Sequence, residues 1–289
     1  MKKIIFMILS VSSFATAAKI EVQGHRGARG SRPENTLPAF SFAIDNEVDT
    51  LELDIAVSSD DQLVISHEPA LTPERCLDPN GQKLTAPIFI RSLKYDEIKK
   101  YDCGTLGNEK FPGQVSVVKT PMPRLEDLFI MVEKSKAPAA SKVHFNIETK
   151  IYPSKPELTP EPKEFARKII ELAKKHHMLD RMILQSFDDR TLLAAKILEP
   201  KLVTSMLTSD NHIDYVKVAQ SAKVDIISPD YEWILADDVK RMHSAGIKVL
   251  PWTVNSISGW DHMIKLGVDG IISDQPKELI AYLKAKGLR

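Results

Sequence analysis

Two histidines have the side chains that acid–base chemistry requires, and each follows a segment of extended, apolar pattern. His25 follows the first such segment, and His67 follows the continuation of the second. General acid–base catalysis needs one imidazole that is neutral and one that is charged. An ordinary histidine pKa of about 6.5 makes both forms available near neutral pH. Either histidine alone would more often be structural, but the pair predicts proton transfer to and from a substrate.

Three carboxylates lie in the second and third predicted strands, which cover 50–57 and 143–148. They are those of Glu52, Asp54 and Glu148. Glu52 and Asp54 are two residues apart, so they share one face of their strand. Carboxylates that converge inside a barrel repel one another unless a cation neutralises them. Oxygen ligands suit Ca²⁺ or Mg²⁺ better than zinc. The alternatives are a solvated strand face for the first two and a salt bridge from Glu148 to Lys150.

Two further side chains could contact a substrate. Arg26 carries a planar guanidinium that matches phosphate oxygens, although a salt bridge at the rim is an equal alternative. Trp252 lies near the end of a predicted strand, where aromatic side chains often line ligand cavities. The alternative for Trp252 is ordinary core packing.

The elements that must position these side chains alternate along the chain. Hydrophobic periodicity predicts eight strands, each followed by a helix, over residues 20–23, 50–57, 143–148, 182–186, 202–207, 224–228, 248–253 and 270–273. Strict alternation implies right-handed crossovers and a parallel sheet, and eight units predict a (β/α)8 TIM barrel. The rival is an open doubly wound sheet, but Gly24, Gly27 and Gly30 do not have G-x-G-x-x-G spacing. In a barrel, the chemistry lies at the carboxyl ends of the strands.

The stretch from about residue 68 to residue 123 breaks this alternation. It is rich in Pro, Gly, Asn and Asp, and its one predicted helix covers 92–101. We interpret it as an irregular insertion after the second strand. It contains Cys76 and Cys103, which we expect to form a disulfide in an oxidising compartment. Two free thiols are the alternative.

Residues 1–18 have the three parts of a secretory signal peptide. Lys2 and Lys3 precede the apolar run 4–9, and small residues follow at 15–17. The sequence therefore predicts export to the periplasm or the medium, with the barrel formed by 19–289. An uncleaved anchor is the alternative, but the run is about half the roughly 20 residues that a membrane span needs.

Composition excludes several classes of protein. Lys plus Arg and Asp plus Glu both number 39, and 43% of residues are hydrophobic. A disordered chain would have lower hydrophobicity and a larger net charge. A nucleic-acid-binding protein would have a basic excess, so no nucleic-acid partner is expected. Stable membrane insertion is not expected either, which leaves a globular enzyme or a ligand-binding domain.

A series of short motifs resembles the glycerophosphodiester phosphodiesterase family, in order from about residue 21 to the C-terminus. The motifs are His25-Arg26-Gly27, Arg32-Pro33-Glu34-Asn35-Thr36, Glu52-Leu53-Asp54, His67-Glu68-Pro69, Met122-Pro123-Arg124-Leu125-Glu126-Asp127, Asn146-Ile147-Glu148-Thr149-Lys150, Gln185-Ser186-Phe187 and Trp252-Thr253-Val254-Asn255. The resemblance implies a (β/α)8 barrel with an insertion after the second strand. It also implies hydrolysis of small-molecule glycerophosphodiesters, such as glycerophosphocholine or glycerophosphoethanolamine, to sn-glycerol 3-phosphate and an alcohol, with Ca²⁺ or Mg²⁺ as cofactor.

Carried over to this chain, the resemblance assigns a role to each candidate residue. The assignments are metal binding by Glu52, Asp54 and Glu148, acid–base catalysis by His25 and His67, phosphate binding by Arg26 and Lys150, and an apolar wall beside the glycerol from Trp252. The chain departs from the family at Glu68, where many members have Asp, and no role is assigned to this position.

Two other functions compete with this one. A phospholipase on the same barrel would act on intact membrane lipid, and it should expose an apolar or aromatic loop at the rim. The predicted insertion is mostly polar. A non-catalytic binding protein is the second competitor, and the presence of both histidines and all three carboxylates speaks against it.

Overall fold

Strands and helices alternate along the part of the chain that the structure, a computed structural model, describes, which is residues 19–289. The predicted signal peptide lies outside these residues. The strands are β1 (Glu21–Gly24), β2 (Thr50–Val57), β3 (Leu63–Ile65), β4 (Ala70–Leu71), β5 (Ile88–Phe89), β6 (His144–Thr149), β7 (Met182–Ser186), β8 (Val203–Thr208), β9 (Ile226–Pro229), β10 (Lys248–Val249) and β11 (Gly270–Ser273). The helices are α1 (Leu37–Asp45), α2 (Tyr95–Ile98), α3 (Leu125–Lys134), α4 (Pro162–Lys175), α5 (Asp189–Leu198), α6 (Tyr215–Ala222), α7 (Ala236–Ser244), α8 (Ile257–Leu266) and α9 (Pro276–Ala285).

Eight of the described strands pair in parallel, in the order β10-β9-β8-β7-β6-β2-β1-β11. Backbone hydrogen bonds from Ile272 N to Pro251 O and from Val254 N to Ile272 O, both 3.0 Å long, join the two ends of this order. A helix follows each of the eight strands, with the insertion lying between β2 and its helix α3. The structure therefore confirms the predicted (β/α)8 barrel.

Regular pairing in β10 is shorter than the predicted strand over 248–253. Pro251 has no backbone N–H, so it cannot donate to the ladder. The chain nevertheless stays beside β9, because Leu250 N donates to Ile227 O and Trp252 N donates to Pro229 O, each at 3.0 Å. This extended path carries Trp252 to the carboxyl end of the barrel.

Alternation along β2 separates a helix-facing side from an interior side. Leu51, Leu53 and Ile55 are fully buried in the main hydrophobic cluster, together with Phe40 of α1 and Phe129 of α3. The intervening Glu52 and Asp54 are also buried, but their side chains bond to other polar groups. The period of two in a strand therefore turns both carboxylates into the barrel.

The insertion has a small core of its own. β4 pairs with β5, and a disulfide joins Cys76 to Cys103, as predicted. Both cysteines belong to a cluster of buried apolar side chains with Val64, Leu71, Ile90, Ile98 and Met122. The predicted helix over 92–101 is instead a 3₁₀ turn, Ile90–Ser92, followed by the single-turn α2.

One segment of the insertion lies against the loop that follows β1. Gln114 Nε2 donates to the carbonyl oxygens of Arg29, at 2.6 Å, and of Arg32, at 3.1 Å. The backbone of Val115 donates to Ser31 O at 3.0 Å. The insertion thus supports a loop that contributes to the cavity described below. Among residues 19–289, no helix combines the length and apolar character needed to cross a membrane.

Candidate active site

A cavity of about 250 Å³ opens at the carboxyl ends of the barrel strands. Of the predicted catalytic, substrate-binding and metal-binding residues, all except Asp54 line it, and Asp54 contacts two of them, Lys150 and Arg26. The lining residues are His25, Arg26, Arg29, Glu52, His67, Glu148, Lys150, Gln185, Phe187, Leu207, Trp252, Thr253 and Ile272. The structure therefore brings together residues that are more than 200 positions apart in the chain.

The turn after β1 places the side chains of His25 and Arg26 in the wall of the cavity. Arg26 and Gly27 both have positive φ, 51° and 84°. A side chain at Gly27 would come within 2.9 Å of Ala39, so glycine is required there on steric as well as conformational grounds. The turn is held by the backbone N–H of Arg26, which donates to Glu52 Oε2 at 2.8 Å.

Glu52, Asp54 and Glu148 form one buried cluster. Asp54 and Glu148 are register partners on the neighbouring strands β2 and β6. One carboxylate oxygen from each of the three residues lies within 4.8 Å of the others, and the residues are 1% to 5% exposed. Gln185 Nε2 donates to Glu52 Oε1 at 3.2 Å, and Asn35 Nδ2 donates to Asp54 Oδ2 at 2.8 Å.

Basic side chains lie directly against this cluster. Lys150 Nζ is 2.6 Å from Glu148 Oε1 and 3.1 Å from Asp54 Oδ1, and Arg26 Nε is 3.5 Å from Asp54 Oδ2. Burial and the neighbouring carboxylate charges hold the pKa of Glu52 well above its usual range. Burial also raises the pKa of Glu148, to about 7, against the opposing charge of Lys150. The pKa of Asp54 is held well below its usual range, because Lys150 and Arg26 outweigh the effect of burial.

The carboxylate cluster fits a hard divalent cation. Its ligand atoms are all oxygens, which Ca²⁺ and Mg²⁺ prefer. Within residues 19–289, Asp54 Oδ1 is buried and has no hydrogen-bond partner, although Lys150 provides an ionic contact. A carboxylate oxygen without a hydrogen bond has lone pairs left with which it could bind a cation. The cluster can therefore hold a cation. Without a cation, the positive charge of Lys150 balances part of the negative charge of the carboxylates.

His25 is paired with a carboxylate that the sequence motifs did not single out. Its Nδ1 lies 2.6 Å from Asp274 Oδ1. Asp274 is ionised, because His25 and Arg29 hold its pKa below the usual range in spite of burial. An ionised carboxylate can only accept, so Nδ1 carries the proton and Nε2 is left as an acceptor, 3.9 Å from Glu52 Oε2. Burial lowers the pKa of His25 to about 4, although Asp274 opposes this shift.

Three groups hold Asp274 in place. Arg29 Nε donates to Oδ1 at 2.6 Å, and Asn255 Nδ2 donates to Oδ2 at 2.7 Å. The backbone N–H of Asp274 donates to Asn255 Oδ1 at 2.9 Å. Asp274 directly follows β11, so the rule that chemistry lies at the carboxyl ends of barrel strands could have found it.

His67 has a carboxylate partner next to it in the chain. The β2–β3 hairpin carries His67 back to the cavity, where Ser66 N donates to Asp54 O at 2.9 Å. The Nδ1 atom of His67 lies 2.8 Å from Glu68 Oε1, and Tyr152 Oη donates to the His67 carbonyl at 3.1 Å. The pKa of Glu68 is lowered by its hydrogen bond to His67, so Glu68 is the acceptor and Nε2 is the ring nitrogen that does not bond to Glu68. Position 68, which the resemblance left without a role, thus orients a histidine.

Glu34 is a second buried carboxylate that sequence reasoning left without a role. Its Oε1 lies 2.8 Å from Arg26 Nη1 and 2.9 Å from Arg75 Nη1 of the insertion. Burial alone would raise the pKa of Glu34, but Arg75 and Arg26 lower it to about 2. Glu34 therefore fixes the guanidinium of Arg26 and ties the insertion to the loop after β1.

Aromatic side chains form the opposite wall of the cavity. Trp252 donates from Nε1 to Ser228 O at 2.9 Å, which fixes the plane of the indole. Phe187 packs edge-on against it, with ring centroids 5.7 Å apart. Leu207 and Ile272 complete this wall. The cavity is therefore lined by charged side chains near β1, β2 and β6, whereas its apolar lining comes from residues in or after β7, β8, β10 and β11.

A larger groove of about 460 Å³ lies outside the barrel, between α3 and α4. Its charged side chains are paired with one another: Arg124 with Glu126 at 3.4 Å, Arg167 with Glu171 at 2.5 Å, and Lys175 with Glu126 at 2.6 Å. The groove contains no histidine among its lining residues in the described chain. The smaller cavity is therefore the candidate active site.

Comparison with known proteins agrees with this geometry. A model of the glycerophosphoryl diester phosphodiesterase family matches residues 25–278. The chain belongs to this family. A glycerophosphodiester phosphodiesterase of Caldanaerobacter subterraneus subsp. tengcongensis is 30% identical over 273 residues, which cover 93% of this chain and 100% of that protein. The resemblance found in the sequence is thereby confirmed, as is the prediction of an enzyme of this class.

Solved structures of the family share the fold. A putative glycerophosphoryl diester phosphodiesterase from Silicibacter pomeroyi superposes with a TM-score of 0.87 at 27% identity, covering 93% of this chain and 95% of that chain. A phosphodiesterase from Oleispira antarctica, solved in complex with the product sn-glycerol-3-phosphate, has a TM-score of 0.75 at 21% identity and covers 92% of this chain and 97% of that one. At this identity, the likeness to the Oleispira antarctica protein shows a shared fold.

Proposed function

We propose that this phosphodiesterase hydrolyses glycerophosphodiesters such as glycerophosphocholine and glycerophosphoethanolamine to sn-glycerol 3-phosphate and the free alcohol. The observation that carries the proposal is one cavity that His25 and His67 line together with Glu52 and Glu148, two members of the carboxylate cluster that Asp54 completes. The product named for the Oleispira antarctica relative supports the same chemistry.

His25 is the proposed base. Asp274 holds its proton on Nδ1, so Nε2 can accept a proton from the attacking water or from the glycerol 2-hydroxyl. The lowered pKa keeps the ring neutral near pH 7, which is the form that a base needs.

His67 is the proposed acid. Its side chain is 30% exposed, compared with 11% for His25, so it stands nearer the mouth, where the alcohol departs. Glu68 holds Nδ1 and leaves Nε2 to protonate the alcohol oxygen. Arg26 and Lys150 line the same cavity and supply positive charge for the phosphodiester anion.

Glu52, Asp54 and Glu148 are the proposed ligands of a divalent cation, Ca²⁺ or Mg²⁺. A cation bound there would neutralise negative charge that develops on the phosphoryl oxygens in the transition state. Within the chain itself, Gln185 and Asn35 hold two of the three carboxylates in their shared orientation.

The direct test is a panel of glycerophosphodiesters assayed with each ion, with release of sn-glycerol 3-phosphate as the readout. We expect turnover with Ca²⁺ or Mg²⁺ and loss of turnover with EDTA. His25→Ala and His67→Ala should abolish turnover without unfolding the protein. His243→Ala is the control, because His243 forms a similar contact with Asp269, 2.8 Å long, outside the cavity. Full activity in either test variant would remove that histidine from the mechanism, and indifference to chelation would remove the metal.

We also propose that the protein is exported. Support comes from the signal-peptide pattern of residues 1–18 and from the Cys76–Cys103 disulfide, since disulfides persist in oxidising compartments. The measurement is the N-terminal sequence and mass of the protein from the extracytoplasmic fraction. Recovery of the intact chain from the cytoplasm alone would contradict export.

A further inference from the structure

Three amide side chains connect the start of β1 to the carboxylate cluster through the inside of the barrel. Gln23 Nε2 donates to Glu21 Oε1 at 2.9 Å, and Gln23 Oε1 accepts from Asn146 Nδ2 at 2.8 Å. The same Nδ2 atom donates to Gln185 Oε1 at 2.9 Å, and Gln185 Nε2 donates to Glu52 Oε1 at 3.2 Å. We call Gln23, Asn146 and Gln185 the amide network.

The amide network is buried directly beside the proposed metal ligands. Gln23 and Asn146 are 0% exposed, and Gln185 is 1% exposed. Asn146 is the register partner of Glu52, and Gln185 is the register partner of Glu148. A buried polar group that loses its partner is left unsatisfied, which costs far more than the same loss at the surface. The hydrogen bonds of the network therefore restrict its side chains to few orientations.

The two ends of the network determine which way each amide points. A carboxylate that holds a cation is ionised and only accepts hydrogen bonds, so Glu52 must face the Nε2 of Gln185. The Oε1 of Gln185 then points at Asn146. From the other side, Gln23 also points its Oε1 at Asn146, because its Nε2 donates to Glu21. Asn146 therefore lies between two acceptors, and the two N–H bonds of its Nδ2 satisfy both.

Asn146 selects the end of the Gln185 amide that faces Glu52. The two ends of a glutamine amide are alike in size and shape, so packing alone does not distinguish them. If the amide of Gln185 turned over, its oxygen would face the carboxylate of Glu52, and its Nε2 would face the Nδ2 of Asn146. Both contacts would be repulsive. The donor at Asn146 thus keeps a donor directed at Glu52.

We propose that Asn146 is a positioning residue of the cation site, which acts through Gln185 to hold Glu52 in the orientation that binds the metal. The proposal rests on the proposed function, because Glu52 is a ligand only if the carboxylate cluster binds Ca²⁺ or Mg²⁺. Among the described residues, Asn146 is not one of those that line the cavity, so its effect reaches the site through its neighbours. Groups that orient metal ligands contribute about 10-fold to 100-fold to metal affinity.

The test is a double-mutant cycle on the dissociation constants of Ca²⁺ and of Mg²⁺, measured by titration calorimetry on the substrate-free protein. Asn146→Ala should raise the Kd by about 10-fold, and Gln185→Met should raise it by at least as much. In the Gln185→Met background, Asn146→Ala should change the Kd by less than about twofold, since the residue through which it acts is gone. A purely structural role would give the same loss of affinity in both backgrounds.

Ser205→Ala is the matched control. Ser205 is the register partner of Gln185 on β8 and is 0% exposed, and its Oγ lies 2.8 Å from Ser228 Oγ. The substitution therefore removes a buried hydrogen bond from the barrel interior outside the amide network. It should leave the Kd of either ion within about twofold. A loss of affinity equal to that of Asn146→Ala would mean that metal binding depends on any such bond, and would overturn the inference.

The outcomes separate this inference from the proposed function. Wild-type protein that binds neither ion would overturn the proposed cation site itself. Wild-type protein that binds an ion, with an unchanged Kd in Asn146→Ala, would overturn the inference alone, as would an unchanged Kd in Gln185→Met. If Asn146→Ala does not fold, Asn146→Leu replaces it in the cycle, because leucine has a similar volume and forms no hydrogen bond.

Discussion

At the scale of single residues, the two histidines differ because their carboxylate partners lie in different surroundings. Asp274 is buried and clamped by Arg29 and Asn255, whereas Glu68 is partly exposed and adjacent to His67 in the chain. A buried, neutral imidazole is suited to accept a proton, and an accessible one at the mouth is suited to donate. The carboxylate partners therefore determine which histidine is the proposed base and which is the proposed acid.

Asp274→Asn should reduce kcat for glycerophosphocholine by about 100-fold with little change in KM, because an amide no longer fixes the proton on Nδ1 of His25. Steady-state kinetics measures both constants. Asp269→Asn is the control, since Asp269 pairs with His243 outside the cavity. A kcat equal to that of the wild type would show that Asp274 does not position the base.

Glu68→Gln should lower the rate on glycerophosphocholine by about 10-fold to 100-fold, because His67 loses the partner that orients it for proton donation. The loss should disappear with a p-nitrophenyl phosphodiester, whose leaving group needs no proton. Comparison of the two substrates on the same variant is the measurement. An equal loss on both would indicate structural damage rather than impaired acid catalysis.

At the scale of elements, the loop after β1 and the insertion stabilise each other through buried charge. Glu34 binds Arg26 of the loop and Arg75 of the insertion, and Gln114 of the insertion caps the loop carbonyls. Because this loop carries His25, Arg26 and Arg29, the insertion supports the geometry of the site without supplying its catalytic groups.

Glu34→Gln should lower the free energy of unfolding at neutral pH by about 3 kcal/mol, the value of a pKa held at about 2 instead of 4.5. Because the folded-state pKa is the lower one, this stability is present above pH 4.5 and is lost as the pH falls toward 2. Urea titrations across that range should show the wild type converging on the variant. Glu164→Gln is the control: its pKa is also lowered to about 2, but its exposed pairing should add little stability. A difference that does not depend on pH would contradict the prediction.

Replacing both cysteines, Cys76→Ser/Cys103→Ser, should lower the free energy of unfolding by about 3 kcal/mol, since the bond closes a loop of 27 residues in the unfolded chain. Denaturant titration with and without reductant measures this. The reduced wild type should behave like the variant. An unchanged midpoint would mean that the insertion is not part of the cooperative unit.

At the scale of the whole molecule, three carboxylates from two strands are brought together only in the folded barrel. A cation that binds the folded state alone stabilises the entire fold by mass action. Stability should therefore report metal binding independently of catalysis.

Ca²⁺ or Mg²⁺ at about 100 times its Kd should raise Tm by about 5 °C or more, and Asp54→Asn should remove most of this shift. Thermal unfolding with and without EDTA measures the effect. Glu21→Gln is the control, because Glu21 bonds Gln23 and Thr50 and does not belong to the carboxylate cluster. A shift that persists in Asp54→Asn would place the cation elsewhere.

Much of the fold and part of the site follow from the sequence. The hydrophobic period of a segment distinguishes a strand from a helix and shows which of its faces is buried. The alternation of strands and helices therefore predicted the barrel. The two-residue spacing of Glu52 and Asp54 predicted that both face its interior. The carboxyl ends of parallel strands meet at one rim, which predicted that His25, Glu148 and Trp252 would come together there.

Contacts between distant elements were decided only by the tertiary structure. Asp274 meets His25 across 249 residues because closure of the barrel sets β11 beside β1. The pairing of Glu34 with Arg75 depends on the path of the insertion. Local patterns of hydrophobicity carry no information about such neighbours, because strand order and loop path arise from the packing of the whole chain.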